Sequence, residues 1–489
     1  MNLRPLYCAL LLVATASAQA LPAFPGAEGG GAESVGGRGG AICEVTNLTD
    51  AVPAKSGSLR ACTDAAGPRI VVFRVGGTIP LVKDIVIRNP YITIAGQTAP
   101  GGGITLSGVN SPNDVFAVTS HNVVVRYIRF RKGNNTITPP NAGDGISIAG
   151  GHNIIFDHCS VSWAMDENVS AWGGSKFPLP SNVTLSWNLL AEGLGPHRNF
   201  LTGAASSTLA DAMVNIDVHH SLFSNSYERN PLANNKTFRL VNNIIYNWRR
   251  SATRLGGGVS LDAIGNLYKA GPLNGTYDPK SVYEIQEYPT ADSTTPSGSP
   301  SIYVVGNIGP HNANPNNDNW LMVRQVASAG GVTEGQSGPP DAQYRRHSPL
   351  PALPVPITIH PASQIESIIL PVVGASRRLD CTGNWISNRD AVDKRIINEY
   401  NTNQGTLPAT EADVGGFPTI ANGTPCADTD HDGMPDAWED ANGLDKNNSV
   451  DGRAIHSSGY SNVERYLNGP AASDPLRELL PPVNVRISN

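Results

Sequence analysis

The sequence predicts an all-β solenoid, a stack of coils each made of several short strands, with a C-terminal extension of short helices and an EF-hand-like loop. Three observations point there. Short, β-branched, alternating segments recur along the chain, and asparagines fall at matching places in successive segments. Beyond residue 307 the recurrence gives way to turn-rich sequence, one helical pattern and one acidic loop.

The chain opens with a leader. Arg4 precedes the apolar run Leu6–Val13, too short to span a bilayer, and Ala16-Ser17-Ala18 offers small residues for cleavage. Residues 1–18 are therefore expected to be a signal peptide and the protein to be secreted. No later segment reads as a membrane span. The rest is longer than a typical domain, but one core can extend indefinitely when each coil stacks on the last. Residues 19–375 are assigned to the solenoid and 376–489 to the extension. Gly 51 and Pro 38 supply the turns this needs. A formal net charge of -6 argues against nucleic acid or an anionic membrane as partner. An acidic substrate would need a local cation to draw it in. A monomer is expected.

Five of the six cysteines follow the leader, and an odd number in an exported chain leaves at least one unpaired. Cys43 with Cys62, and Cys381 with Cys426, are nearest in sequence and are the favoured bridges, although spacing does not fix pairing. Cys159 lies in an apolar strand and reads as a buried thiol rather than a nucleophile.

The recurrence is clearest at Val125, Phe156, Leu185, Val218 and Leu240, apolar positions separated by 31, 29, 33 and 22 residues. Each is followed by a polar turn and a second apolar step at Ile128, Val161, Leu189, Leu222 and Ile244. Helical repeats of this period need long 3.6-residue patterns, whereas these segments alternate. Asn188, Asn243, Asn266 and Asn307 precede apolar steps in register, which suits an asparagine ladder at a bend. Residues 288–300 and 330–356 read as loops. Asp390 to Ile397 carries apolar residues at helical spacing, and 459–467 begins a short helix.

Three constellations carry chemistry. In the extension Asp428, Asp430, Asp432, Asp436 and Glu439 occupy positions 1, 3, 5, 9 and 12 of a loop with Gly433 at position 6, the pattern of a structural Ca²⁺ clip. Within the repeat, Asp144, Asp157 and Asp166-Glu167 lie about a coil apart, so acids could converge on one face and hold Ca²⁺. Finally, His219-His220 precede Arg229, which is expected in an extended conformation before Pro231 and could grip a carboxylate. Adjacent strand histidines point to opposite faces and should not share one ion. The glycine runs near residues 29–40 lack the strand and helix of a phosphate cradle.

Longer stretches resemble secreted pectate lyases of polysaccharide lyase family one. They include Ala23-Phe24-Pro25-Gly26-Ala27-Glu28-Gly29, Ile94-Ala95-Gly96-Gln97-Thr98-Ala99-Pro100, Asp157-His158-Cys159-Ser160-Val161-Ser162-Trp163 and Val241-Asn242-Asn243-Ile244-Ile245-Tyr246-Asn247-Trp248. The resemblance implies a right-handed parallel β-helix that cleaves polygalacturonate, the pectin backbone, by Ca²⁺-assisted β-elimination. It also implies Asp144 and Asp166 as groove ligands of Ca²⁺. Ser170 stands where a further acid is usual, with Glu167 as its substitute. Arg229 is then the base, and Arg198, with His197 beside it, binds substrate. A second family arginine falls at Asn234, which departs from the pattern. Ser170 and Asn234 favour one alternative, a non-catalytic pectin-binding β-helix; a hydrolase using Asp166-Glu167 to activate water, and a pectin lyase acting on methylated substrate, are the others. Eight Asn-x-Ser/Thr sites occur, a number that chance explains.

Overall fold

The computed structural model describes residues 21–470, apart from 136, 138, 140–141, 277–282, 289–292 and 326–341. The expected signal peptide, parts of the two expected loops and residues 471–489 of the extension lie outside the described residues. No helix among the described residues is long and apolar enough to cross a membrane.

Each coil gives one strand to each of three parallel sheets, of ten, nine and eight strands, and the coils rise as a right-handed β-helix. In the ten-stranded sheet the register runs Val125, Phe156, Leu185, Val218, Leu240, as the spacing predicts. These side chains are buried inside the coil, because every second residue of a strand must face the interior. Phe116, Phe130 and Phe156, one from each sheet, meet edge to face with centroids 5.4 to 6.3 Å apart.

The second apolar step departs from expectation. Leu189, Leu222 and Ile244 share a row, but that row continues to Ser160 and Arg129 rather than to Val161 and Ile128. Val161 lines up with Phe130, Leu190, Phe223 and Ile245, and that row fills the interior. Leu189, Leu222 and Ile244 point outward and are apolar because Ile365, Ile369 and Val373, just before the extension, and Val392, Ile396 and Tyr400 within it cover them.

The covering helix is Ala391–Thr402, capped by Asp390, whose side chain accepts from Asp393 N at 2.8 Å. Asp393 in turn accepts from Arg131 Nη2 at 2.6 Å, and Arg129 faces Asp390 at 3.4 Å, all four side chains being 3% exposed or less. Residues 434–466 of the extension lie on the outer face of the ten-stranded sheet, where Met434, Trp438, Val463 and Tyr466 cover Ile70, Val72 and Ala95. Disulfides join Cys43 to Cys62 and Cys381 to Cys426, and Cys159 is buried and free.

The asparagine ladder is longer than its asparagines suggested. Asn188 Oδ1 accepts from Cys159 N, and Asn243, Asn266, Asn307 and Asn319 each accept from the rung before, with Ser221 between Asn188 and Asn243. Backbone N–H groups at the bend lose their sheet partners, and the ladder replaces them.

Asp217 is wholly buried, accepting from Gly30 N at 2.7 Å and Thr184 Oγ1 at 2.9 Å, and burial pushes its carboxyl up to about 7. A raised folded-state pKa favours the protonated form, so this contribution is full below about pH 4 and is lost as pH rises through 7. Asp217→Asn should therefore gain on the native protein between pH 4 and 7 and hold a constant margin above pH 8. Melting curves across that range test this, and a margin that does not change with pH would refute it.

Candidate active site

The site lies along one edge of the nine-stranded sheet. Asn168, Asn199 and Asn230 form a second buried ladder there: Asn168 Nδ2 donates to Asn199 Oδ1, and Asn199 Nδ2 to Asn230 Oδ1, each at 2.7 Å. The residue before each rung projects outward, which brings Glu167, Arg198 and Arg229 into one column at steps of 31 residues. Sequence reading missed this ladder, although its equal spacing was there to find.

Glu167 pairs directly with Arg198 across the sheet, and Glu167 N donates to Asp144 Oδ1 at 3.1 Å. Ligand oxygens of Asp144, Asp166 and Glu167 lie within 4.8 Å of one another. That spacing fits oxygens at 2.3–2.6 Å around one Ca²⁺. Ser170 faces the same place and donates its hydroxyl to Asp144 Oδ2. The carboxylates are electrostatically frustrated. Burial, then repulsion from Asp114 and Glu167, raises Asp144 well above the usual range. Burial likewise pushes Glu167 up to about 7, against the pull of Arg229. Asp157 is not among them. It serves the opposite corner of the coil, bound to Arg126 at 2.9 Å and His158 at 2.8 Å.

Two arginines face the acids. Arg198 Nη1 donates to Asp166 Oδ1 at 2.8 Å, and Arg229 Nη1 donates to Glu167 Oε1. Burial lowers the pKa of Arg229, Glu167 opposes this, and Arg198 lowers it further. Arg229 is not extended as expected. Its φ is 66°, because the proline restriction falls on Asn230 while Arg229 turns the corner. His197 stands apart from the acids, with Nδ1 held 2.6 Å from Gly193 O. Asn234 is buried beside Gly203 and Gly256, its backbone N–H donating to Thr202 Oγ1, and Arg250 and Arg254 of the following coil bring positive charge to this face instead.

His219 and His220 do not point to opposite faces. His220 takes φ 51° at a corner, which brings the two Nδ1 atoms within 2.9 Å of each other. Both rings are buried, and His220 stacks on Trp187.

In the extension Asp428, Asp430 and Asp432 gather their carboxylates, and Asp432, Glu439 and Asp451 gather theirs. Asp436 is turned away, accepting from Thr429 N at 2.7 Å and Thr429 Oγ1 at 2.8 Å. As the first residue of the helix Asp436–Asn442 it points back at Thr429 rather than into the loop. Asp451, twelve residues past the loop, was not singled out from sequence. Both oxygens of Glu439 and Oδ2 of Asp432 are buried with no hydrogen-bond partner. Burial and mutual repulsion push Asp432 up to about 7 and Glu439 up to about 8. Orphaned buried carboxylates of this kind fit a hard cation.

A right-handed parallel β-helix with acids and arginines opposed on one sheet is the architecture of a polysaccharide lyase. No family model matches the chain. "Probable pectate lyase C" of Neosartorya fischeri is 33% identical over 458 residues, 92% of this chain and 94% of that one. The Aspergillus fumigatus protein of the same name is 34% identical over 460 residues, again 92% and 94% of the two chains. Among solved structures, the major allergen from cedar pollen superposes with a TM-score of 0.52 at 16% identity, covering 71% of this chain and 92% of that one. A pectate lyase bound to hexasaccharide does so with a TM-score of 0.50 at 16% identity, covering 74% and 99%. These two share the fold. The chain belongs to the pectate lyase family.

Proposed function

We propose that the protein is secreted and cleaves de-esterified polygalacturonate by β-elimination, leaving unsaturated oligogalacturonides. Asp144, Asp166 and Glu167 hold a groove Ca²⁺. A Ca²⁺ held there would supply Lewis-acid charge that acidifies the C5 proton of a bound uronate and offsets the enolate charge. Arg229 takes the C5 proton, the C4–O bond breaks as the C4–C5 double bond forms, and the departing C4 oxygen takes a proton from water. A guanidinium is a poor base in water, and burial beside Arg198 is what moves it toward the neutral form. Arg198 grips a uronate carboxylate, and His197 lies at the edge of this face. The observation that carries the reading is the opposition of three clustered carboxylates to two half-buried arginines on adjacent coils. Incubation with polygalacturonate tests it. Elimination gives ultraviolet-absorbing unsaturated ends, hydrolysis gives reducing ends alone, and a non-catalytic binder gives neither.

The acids of the extension hold a second, structural Ca²⁺ with Asp451 as an added ligand. Asp432→Ala should lower Tm when Ca²⁺ is abundant, since a site filled at a hundred times its Kd contributes about 2.7 kcal/mol. In chelator the variant should melt no lower than the native protein, because one repelling carboxylate has gone. Turnover of the folded variant should stay near normal. An inactive but fully stable variant would place the chemistry in the extension.

A further inference from the structure

Glu228 takes no part in the chemistry above, yet it lies within ion-pair distance of four arginines. It forms a parallel bridge with Arg198 and is 4% exposed. Its Oε2 accepts from Arg250 Nη1 at 2.9 Å and from Arg254 Nη1 at 2.8 Å. Its Oε1 faces Arg198 Nε at 3.5 Å and Arg229 Nε at 3.8 Å. One oxygen thus serves the two arginines nearest the acids, and the other serves the two of the next coil.

The direction of these contacts matters more than their number. An arginine gripped at Nε is held at the root of its fork, and its Nη edge stays free to meet a planar carboxylate. Arg198 and Arg229 use Nη1 toward Asp166 and Glu167. Their Nε atoms are buried and have no hydrogen bond. Both therefore lean toward the acids, with Glu228 at ion-pair distance behind. Without Glu228 the four guanidinium groups would repel, and Arg198 and Arg229 would have partners only on the acidic side.

We propose that Glu228 is a positioning residue for the lyase reaction, its charge at ion-pair distance behind the Nε edges of Arg198 and Arg229 countering the pull of the acids, so that their Nη groups stay aimed across the cleft when cation and substrate engage the acids. This rests on the roles assigned above to Arg229 and Arg198.

Kinetics on polygalacturonate in saturating Ca²⁺, at a temperature well below each variant's Tm, test the proposal with Glu228→Gln, Glu228→Asp and Arg229→Ala side by side. Glu228→Gln keeps the shape and loses the charge. It should lower kcat roughly 10- to 100-fold, the scale of a misaimed catalytic group. Its KM should change less than about threefold, since the groups that touch substrate remain. Glu228→Asp, which keeps the charge, should recover part of kcat. A purely structural role would lower Tm and leave kcat per folded molecule intact, and that outcome overturns the proposal, as does a loss confined to KM. If Arg229→Ala stays active, the role of Arg229 falls first and the proposal with it. If Arg229→Ala is dead while Glu228→Gln turns over normally, the positioning role alone is lost.

Discussion

Arg229→Ala is expected to lower elimination by about a thousandfold or more, within the range lost with a positioned proton-transfer group. The fold should survive, because Arg229 points from a corner of the coil into the cleft and adds nothing to the interior. Arg229→Lys should fail almost as badly. Lysine keeps the charge but lacks the planar fork, and it is a compact, strongly hydrated cation that the same pocket would hold differently. Unsaturated ends released per minute, beside circular dichroism melts, measure both. Near-normal turnover by both variants would remove Arg229 from the mechanism.

The second large effect concerns the charge of the substrate. Under the proposed mechanism a free carboxylate at the cleavage site would complete the coordination begun by Asp144, Asp166 and Glu167 and would partner Arg198. A methyl ester takes away that ligand and that partner together. Activity is expected to be highest on polygalacturonate and to fall as esterification rises. A chelator should lower it by about a hundredfold or more, the loss expected when a charge-stabilising group is withdrawn from the transition state. Chelation would also empty the proposed site in the extension, so Asp432→Ala serves as the control: its folded form should still respond to added Ca²⁺. Faster cleavage of highly methylated pectin, indifferent to chelator, would identify a pectin lyase instead.

The coil register was legible because an interior facing only side chains demands strict alternation, and Val125 through Leu240 obey it. The second row was misread because Leu189, Leu222 and Ile244 are as apolar as interior residues. Only the packed extension reveals that they face outward. In the candidate site, the residues that the structure gathers were named through the resemblance, but the device that aligns them was not legible. Asn168, Asn199 and Asn230 carry the same signal as the ladder that was found, offset to another corner. Glu228 carried no signal, since an acid beside an arginine in sequence says nothing of which atom it will face. Asp451 was hidden for a different reason. A loop motif counts ligands within itself, and this one arrives from the turn Asp451–Arg453 beyond the following helix.

The buried pairing of Arg131 with Asp393 joins residues 262 positions apart. In a bare stack each layer depends only on the layers next to it, so the ends could fray one layer at a time. Here the helix Ala391–Thr402 lies across rows contributed by several layers, and Arg129 and Arg131 are sealed beneath its first turn. Peeling a layer from under it would strand charges in an apolar seam, at a cost of about 3–5 kcal/mol for each broken pair. The extension thus acts as a splint that turns a modular chain into a body that comes apart all at once.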